Sequence, residues 1–284
     1  LVKKVFFFFF MPELPEVECT RLSLQQIEGL TLKEIILSPL APLKKVQGNT
    51  MRSTFQGLKL EKLKRRSKYL IFVFEKDISL IIHLGMSGRL RYYSKKAEAL
   101  KHTHLKLIFN NGSQVHYTDA RRFGSLSLSF QKNFSDNPLL DNLGLDYNDP
   151  NLTFKTYLKA CRRHPKLNLK SLLLNQKIAA GLGNIYACES LYQAHLDPRK
   201  LVEETKDEEL KKLLQAAKKV LKLGIQQGGV SLRDYLNGLG HRGVMQNYLQ
   251  VYGREGKTTL DGQGQVSKIV QNQRGTWFCP KIQL

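Results

Sequence analysis

The sequence predicts an α+β protein of more than one domain, and three observations point that way. The chain has 284 residues, where one domain per about 100–200 residues suggests two domains. Short β-rich runs fill the first half, whereas apolar residues beyond residue 151 recur at helical spacing. From Val251 onward the pattern turns β-like again, with Gly253, Gly256, Gly262 and Gly264 as turns. Apolar residues make up 42% of the chain, enough to form real cores.

Residues 1–10, LVKKVFFFFF, are of low complexity, and Met11 opens a more ordinary start, so 1–10 reads as an extension outside the fold. Leu14, Val17 and Leu24 suit a helix over 13–27, with Pro15 and acids in its first turn. Strands are expected at Tyr69–Phe74, 80–84, 105–109 and 115–118. The last two flank Asn111-Gly112, a strong hairpin signal, and this half reads as a β-sandwich or barrel with one leading helix. Residues 143–151 turn polar and glycine- and proline-bearing, which places a linker there. Leu210, Leu213, Leu214, Ala217 and Leu221 line one face of a helix over 207–223, and Gly228-Gly229 ends that region. There are no internal repeats.

Composition narrows the function classes. The net charge of +21 favours a polyanionic partner, nucleic acid above all. No apolar run approaches the ~20 residues that cross a bilayer, and residues 5–10 are too short for a signal segment. The four cysteines, Cys19, Cys161, Cys188 and Cys279, lie far apart and form no C-x-x-C pair, so a reducing cytoplasm is the default expectation.

The sharpest motif is MPELPEVE at 11–18. Were Met11 trimmed, Pro12 would carry a free terminal amine. Such an amine titrates near 7.7–8.0 rather than the ~10.4 of lysine, so far more of it is nucleophilic at neutral pH. A secondary amine condensing with a sugar aldehyde gives a permanently cationic iminium, an electron sink for elimination. Glu13 stands beside it to move protons. The bland alternative is that Pro12 and Pro15 start a helix whose dipole the acids complement.

MPELPEVE, Lys68 in RRSKYL, HLGMSG at 83–88, DARRFG at 119–124, GLGNIYACE at 181–189 and VYGREG at 251–256 occur together and in order. This set resembles the formamidopyrimidine-DNA glycosylase family of bacterial base-excision repair, across residues 11–284. The resemblance implies that Pro12 attacks C1′ of the damaged nucleotide and that Glu13 is the acid/base for base release and sugar opening. Lys68 would move a proton in β-elimination, and Arg274 in QRGTWFC would contact phosphate and assist δ-elimination. Read alone, Lys68 could equally be one more phosphate contact of the Lys64-Arg65-Arg66 run. Met86, Arg121 and Phe123 match the residues that fill the hole left by an extruded base, a role suited to a thioether, a cation and an aromatic wedge. GLGN resembles the turn of a helix–two-turns–helix unit, with Asn184, Lys170 and Lys166 near the phosphates. His102 matches a DNA-contacting histidine; His104 is either a second contact or an isolated surface histidine. Residues 237–246, NGLGHRGVMQ, occupy the lesion-recognition loop and favour the oxidised-purine branch of the family.

The family's four-cysteine zinc finger is broken. Its ligand positions fall on Thr259, Gly262, Cys279 and Ile282, and only Cys279 supplies a ligand atom, so no structural zinc and no cofactor is expected. Val266, Ile269, Trp277 and Phe278 would hold the hairpin by apolar packing instead. Ala120 stands where the family usually has Pro, and Asn175 where it often has Asp. The implied organisation is an extension at 1–10, a catalytic β-sandwich at 11–142, a linker at 143–151, a helix–two-turns–helix domain at 152–245 and a zincless β-hairpin finger at 246–284. The implied activity is that of a monomeric, cytoplasmic glycosylase and abasic-site lyase on duplex DNA. The rivals are a binder of damaged or abasic DNA without catalysis, and a generic nucleic-acid-coating protein. The latter lacks an aromatic stacking run.

Overall fold

The computed structural model describes residues 11–44, 48–231 and 235–284, so the expected extension at 1–10 lies outside the described residues. The first half holds helix α1 (Leu14–Ser23), strand β1 (Leu32–Leu37), helix α2 (Gly48–Phe55) and seven further strands. These are β2 (Leu60–Arg66), β3 (Tyr69–Phe74), β4 (Ser79–His83), β5 (Arg89–Tyr93), β6 (Thr103–Phe109), β7 (Gln114–Thr118) and β8 (Ser125–Ser129). They form two four-stranded antiparallel sheets, ordered β1-β6-β7-β5 and β2-β3-β4-β8. The fold is therefore the sandwich, not the barrel. Its core interleaves Leu70, Phe72 and Phe74 with Leu105, Leu107 and Phe109. The outer face of β3–β4 is also covered: Ile71 and Ile81 pack against Leu140 of the short helix α3 (Pro138–Asp141). That double burial explains why β3 is an uninterrupted apolar run rather than an alternating one.

The second half holds α4 (Phe154–Arg162), α5 (Leu169–Leu174), α6 (Asn184–Ala194), α7 (Asp207–Gln226) and the hairpin β9 (Ser267–Gln271) and β10 (Arg274–Phe278). Helix α7 runs one turn beyond the expected end because Gly228 and Gly229, both at positive φ, form the stop. Between Val251 and the hairpin the chain makes turns rather than strands. The hairpin shares the helical core: Val266, Trp277 and Cys279 are buried with Leu191, Leu196 and Val251.

Helix α1 joins the two halves. It is shorter than expected, giving way after Ser23 to a 3-10 turn at Gln25–Ile27. Leu14 enters the helical core, while Val17 and Leu24 enter the sandwich core. The polar stretch after residue 142 is not a free tether. Asp146 and Tyr147 are buried, and Tyr147 donates its amide to Ala180 O at 3.0 Å.

Candidate active site

The site grows from the start of α1. Pro12 is buried and Glu13 is only 3% exposed. The Glu13 carboxylate turns away from its own helix and caps α6 instead. It accepts from Gly183 N at 2.5 Å, Ile185 N at 2.8 Å and Tyr186 N at 3.4 Å. Gly183 offers no capping side chain, so an acid 170 residues away satisfies the free amides of the helix end. A Cβ at residue 183 would lie 2.4 Å from Glu13 Cδ, which is why this position is glycine. Burial raises the Glu13 carboxyl above its ordinary 4.5, against the opposing pull of Lys68 and of the three amides. A carboxyl so placed can hold a proton to give away.

Glu16 lies behind it, fully buried. Its carboxylate accepts from the Glu13 amide at 2.8 Å, the Tyr186 hydroxyl at 2.7 Å and the Val230 amide at 2.7 Å. Burial first, then the neighbouring Glu13, push Glu16 up from 4.5 to about 7. The native state therefore binds more protons than the unfolded chain between those values, and stability falls as pH rises through that window. At full effect the loss is about 3 kcal/mol. A Glu16→Gln protein should lack this slope, so that denaturation at pH 5 and pH 7.5 differs less in the variant than in the parent protein.

Lys68 enters from the β2–β3 turn. Burial lowers its pKa, as does the charge of Arg274, while Glu13 and Glu16 oppose the shift. Lys170 of α5 is 1% exposed and donates to Gly275 O at 2.8 Å and Thr276 Oγ1 at 2.6 Å. Asn184 donates to the same Gly275 O at 3.0 Å. Burial lowers the Lys170 pKa, and Arg274 adds to it. Arg274 itself is exposed at the start of β10. Glu13, Lys68, Lys170, Asn184 and Arg274 thus surround one helix end. In this structure Lys170 and Asn184 hold the hairpin backbone that presents Arg274.

A second cluster lies on the sandwich. Phe123 is 57% exposed, with the Arg121 guanidinium 4.8 Å from its ring centroid, and Met86 is half-buried on the adjoining turn. Asp119, fully buried, locks the two loops. It accepts from Ser87 Oγ at 2.5 Å, Tyr117 OH at 3.0 Å and Gly124 N at 2.8 Å. Ser87 Oγ in turn accepts from Arg121 N at 3.0 Å. Gly85, at φ +64°, faces Gly124 N and Phe123 C at 2.4 Å from where a Cβ would sit, so the backbones touch. His102 is exposed at φ +66°, and its carbonyl accepts from the Asp119 amide.

Three sequence expectations are corrected. The Lys64-Arg65-Arg66 run is not three free cations, because Arg65 pairs with Glu18 and Asp146, and Arg66 with Asp146. His104 is no surface histidine; it is 4% exposed, with Nδ1 2.8 Å from Ser38 Oγ and Nε2 3.0 Å from Asp119 O. Ile269 is only half-buried, so the apolar hold of the hairpin rests on Val266, Trp277 and Phe278. Lys166 joins neither cluster: its side chain is 81% exposed and pairs with Glu203 at 2.7 Å. Residues 237–246 rest on β5 and the end of α1, through Tyr92 N to Gly238 O and Gly238 N to Ser23 Oγ.

Around the expected ligand positions 259, 262, 279 and 282 lies a hydrogen-bonded knot. The Thr259 hydroxyl donates to Asp261 at 2.7 Å, Tyr192 OH donates to the same carboxylate, and Gly264 backs onto Cys279 Sγ. Gly262 has no side chain, and Ile282 packs on the helical core. This donor set does not fit a tetrahedral zinc. Among the described residues no group of three or more His, Cys, Asp or Glu could hold a metal ion.

Comparison with known proteins follows the same division. Residues 11–126 match the formamidopyrimidine-DNA glycosylase N-terminal domain, and residues 143–235 match the H2TH domain of that glycosylase. A formamidopyrimidine-DNA glycosylase of Rickettsia felis is 37% identical over 280 residues, covering 96% of this chain and 98% of the relative. The crystal structure of the MutM (Fpg) protein of Thermus thermophilus aligns with a TM-score of 0.85 at 34% identity, covering 96% of this chain and 98% of that one. A Lactococcus lactis Fpg mutant in complex with Fapy-dG-containing DNA aligns at 0.87 and 33%, covering 96% and 99%.

Proposed function

The chain belongs to the formamidopyrimidine-DNA glycosylase family, and we propose that it excises oxidised purines, formamidopyrimidines and 8-oxoguanine, from duplex DNA and then cleaves the abasic strand. The observation that carries this reading is the capped helix end. The buried Glu13 sits beside Pro12 and within the charge field of Lys68, which in turn feels the charge of Arg274 on the hairpin.

In this reading the Pro12 amine attacks C1′, forming the N–C1′ bond as the C1′–base bond breaks. Glu13 delivers a proton as the base leaves and the sugar ring opens, leaving an iminium on Pro12. Lys68, its pKa lowered, moves the proton of the β-elimination that expels the 3′-phosphate, and Arg274 assists the δ-elimination that follows. The role requires Pro12 to be the first residue of the active protein. Met86, Arg121 and Phe123 fill the emptied stack, with His102, Lys166, Lys170 and Asn184 on the DNA side or supporting it. Residues 237–246 read the lesion. The protein works as a monomer in the cytoplasm, divided as 11–142, 143–151, 152–245 and 246–284.

A duplex with one formamidopyrimidine should lose that base and be nicked, while the intact duplex is untouched. Tight binding without base loss would favour the non-catalytic binder. We further propose that the hairpin folds without zinc. Metal analysis of active protein should find no stoichiometric zinc, and a chelator should leave activity unchanged; inactivation by the chelator would overturn this.

A further inference from the structure

We propose that Asp146 is a positioning residue for Lys68, acting from across the junction between the sandwich and the helical body. The proposal rests on the reading above that Lys68 moves the elimination proton.

Lys68 lies in the two-residue turn of the β2–β3 hairpin, whose strands pair up to Arg66 and Tyr69. Ser67, just before it, adopts φ +53°, a conformation that costs a non-glycine residue about 1 kcal/mol or more. Three cations, Lys64, Arg65 and Arg66, precede it and repel one another and Lys68. One carboxylate makes the largest share of the bonds that tie the turn to the chain beyond residue 142. Both Asp146 oxygens accept from Ser67 N, at 3.0 and 2.9 Å. Oδ2 also accepts from Arg65 and Oδ1 from Arg66, each at 2.5 Å. Asp146 is 5% exposed, so these bonds act where water screens little.

Asp146 is itself fixed to the helical body. Its segment pairs with Ala180, and Gly144 N donates to Gln176 O at 2.8 Å. Gln176 Oε1 accepts from Gly181 N at 2.9 Å and from Ser67 Oγ at 3.3 Å. The Lys68 turn is thus tied to the Gly181–Gly183 turn, which sets the α6 end that Glu13 caps. Asp146 therefore sets where the hairpin turn, and with it the Lys68 ammonium, sits relative to Glu13.

The test separates steps. With Asp146→Asn, single-turnover elimination on an abasic-site duplex should slow by about 10- to 100-fold, the scale of an ångström misplacement. Borohydride-trapped intermediate should accumulate, because trapping precedes the Lys68 step. Affinity for a tetrahydrofuran duplex should stay within twofold, and Asp146→Glu should recover most of the rate. Should Asp146→Asn fail to fold, Arg66→Gln, which removes one partner of Asp146 and the bonds of Arg66 to Leu143 O and Gly144 O, should show the same accumulation at a smaller slowing. Normal elimination in a folded Asp146→Asn or in Arg66→Gln overturns the proposal. Lys68→Ala distinguishes the two readings: if it eliminates normally, the reading of Lys68 fails; if it stalls while Asp146→Asn runs normally, the positioning role fails.

Discussion

Glu13→Gln is expected to slow base release from a formamidopyrimidine duplex by about 10²- to 10⁴-fold, the range general acid–base groups supply. Two effects combine. The amide cannot deliver a proton to the opening sugar. It also turns an NH₂ toward one of two buried amides, Gly183 N or Ile185 N, that now share the carboxylate. A buried donor left facing a donor costs about 1–3 kcal/mol, so the variant should also melt earlier. The chemical and structural parts separate by substrate. A tetrahydrofuran duplex, which has no base to lose, should still be bound by folded Glu13→Gln protein. Single-turnover excision and a binding titration check this together; near-normal excision would remove Glu13 from the chemistry.

Asp119→Ala carries the second large effect. It leaves the Ser87 and Tyr117 hydroxyls and the Gly124 amide without the fully buried carboxylate that accepts from them. Three such losses are expected to destabilise the protein by about 3–5 kcal/mol, at the upper end for a single substitution. The loops that carry Met86, Arg121 and Phe123 then lose their common anchor. Affinity for an abasic-site duplex should fall at least tenfold at a temperature where the protein remains folded. Denaturant unfolding and titration of the same sample measure both. Unchanged affinity would mean that the wedge loops are set by the sandwich alone.

Much of the fold is legible in the sequence because burial follows its periods. Leu210, Leu213, Leu214, Ala217 and Leu221 are all buried on α7, and Tyr69–Phe74 is β3 to the residue. Strands β1, β2, β5 and β8 escape notice for a physical reason. Each carries a charged, serine-rich or half-exposed face, as in Leu60–Arg66, and pairs through neighbours the local pattern does not reveal. The candidate site is legible as ordered motifs, but not in its supports. Asp146 and Glu189 have all their partners tens of residues away, and Glu16 and Asp119 each have at least one distant partner, Tyr186 and Val230 for the first and Ser87 for the second. Glu189 illustrates this: it accepts from Gln250, Val251 and Tyr252 amides and so fixes the VYGREG turn. A signal existed in the charge balance. With so few acids against so many cations, an acid inside an otherwise apolar or glycine-rich motif is worth testing as a buried partner. The cationic run Arg65-Arg66 misleads for the converse reason, since its anions come from Glu18 and from the segment after residue 142.

The central claim is that a terminal amine at Pro12 does the covalent work. The direct measurement is borohydride trapping of protein expressed from its native gene on a duplex with one 8-oxoguanine opposite cytosine, followed by peptide mapping. The account predicts a covalent complex with the DNA carried on Pro12 as the first residue. A cross-link on Lys68 or another lysine would contradict it, as would the absence of any cross-link while an abasic-site duplex is still bound.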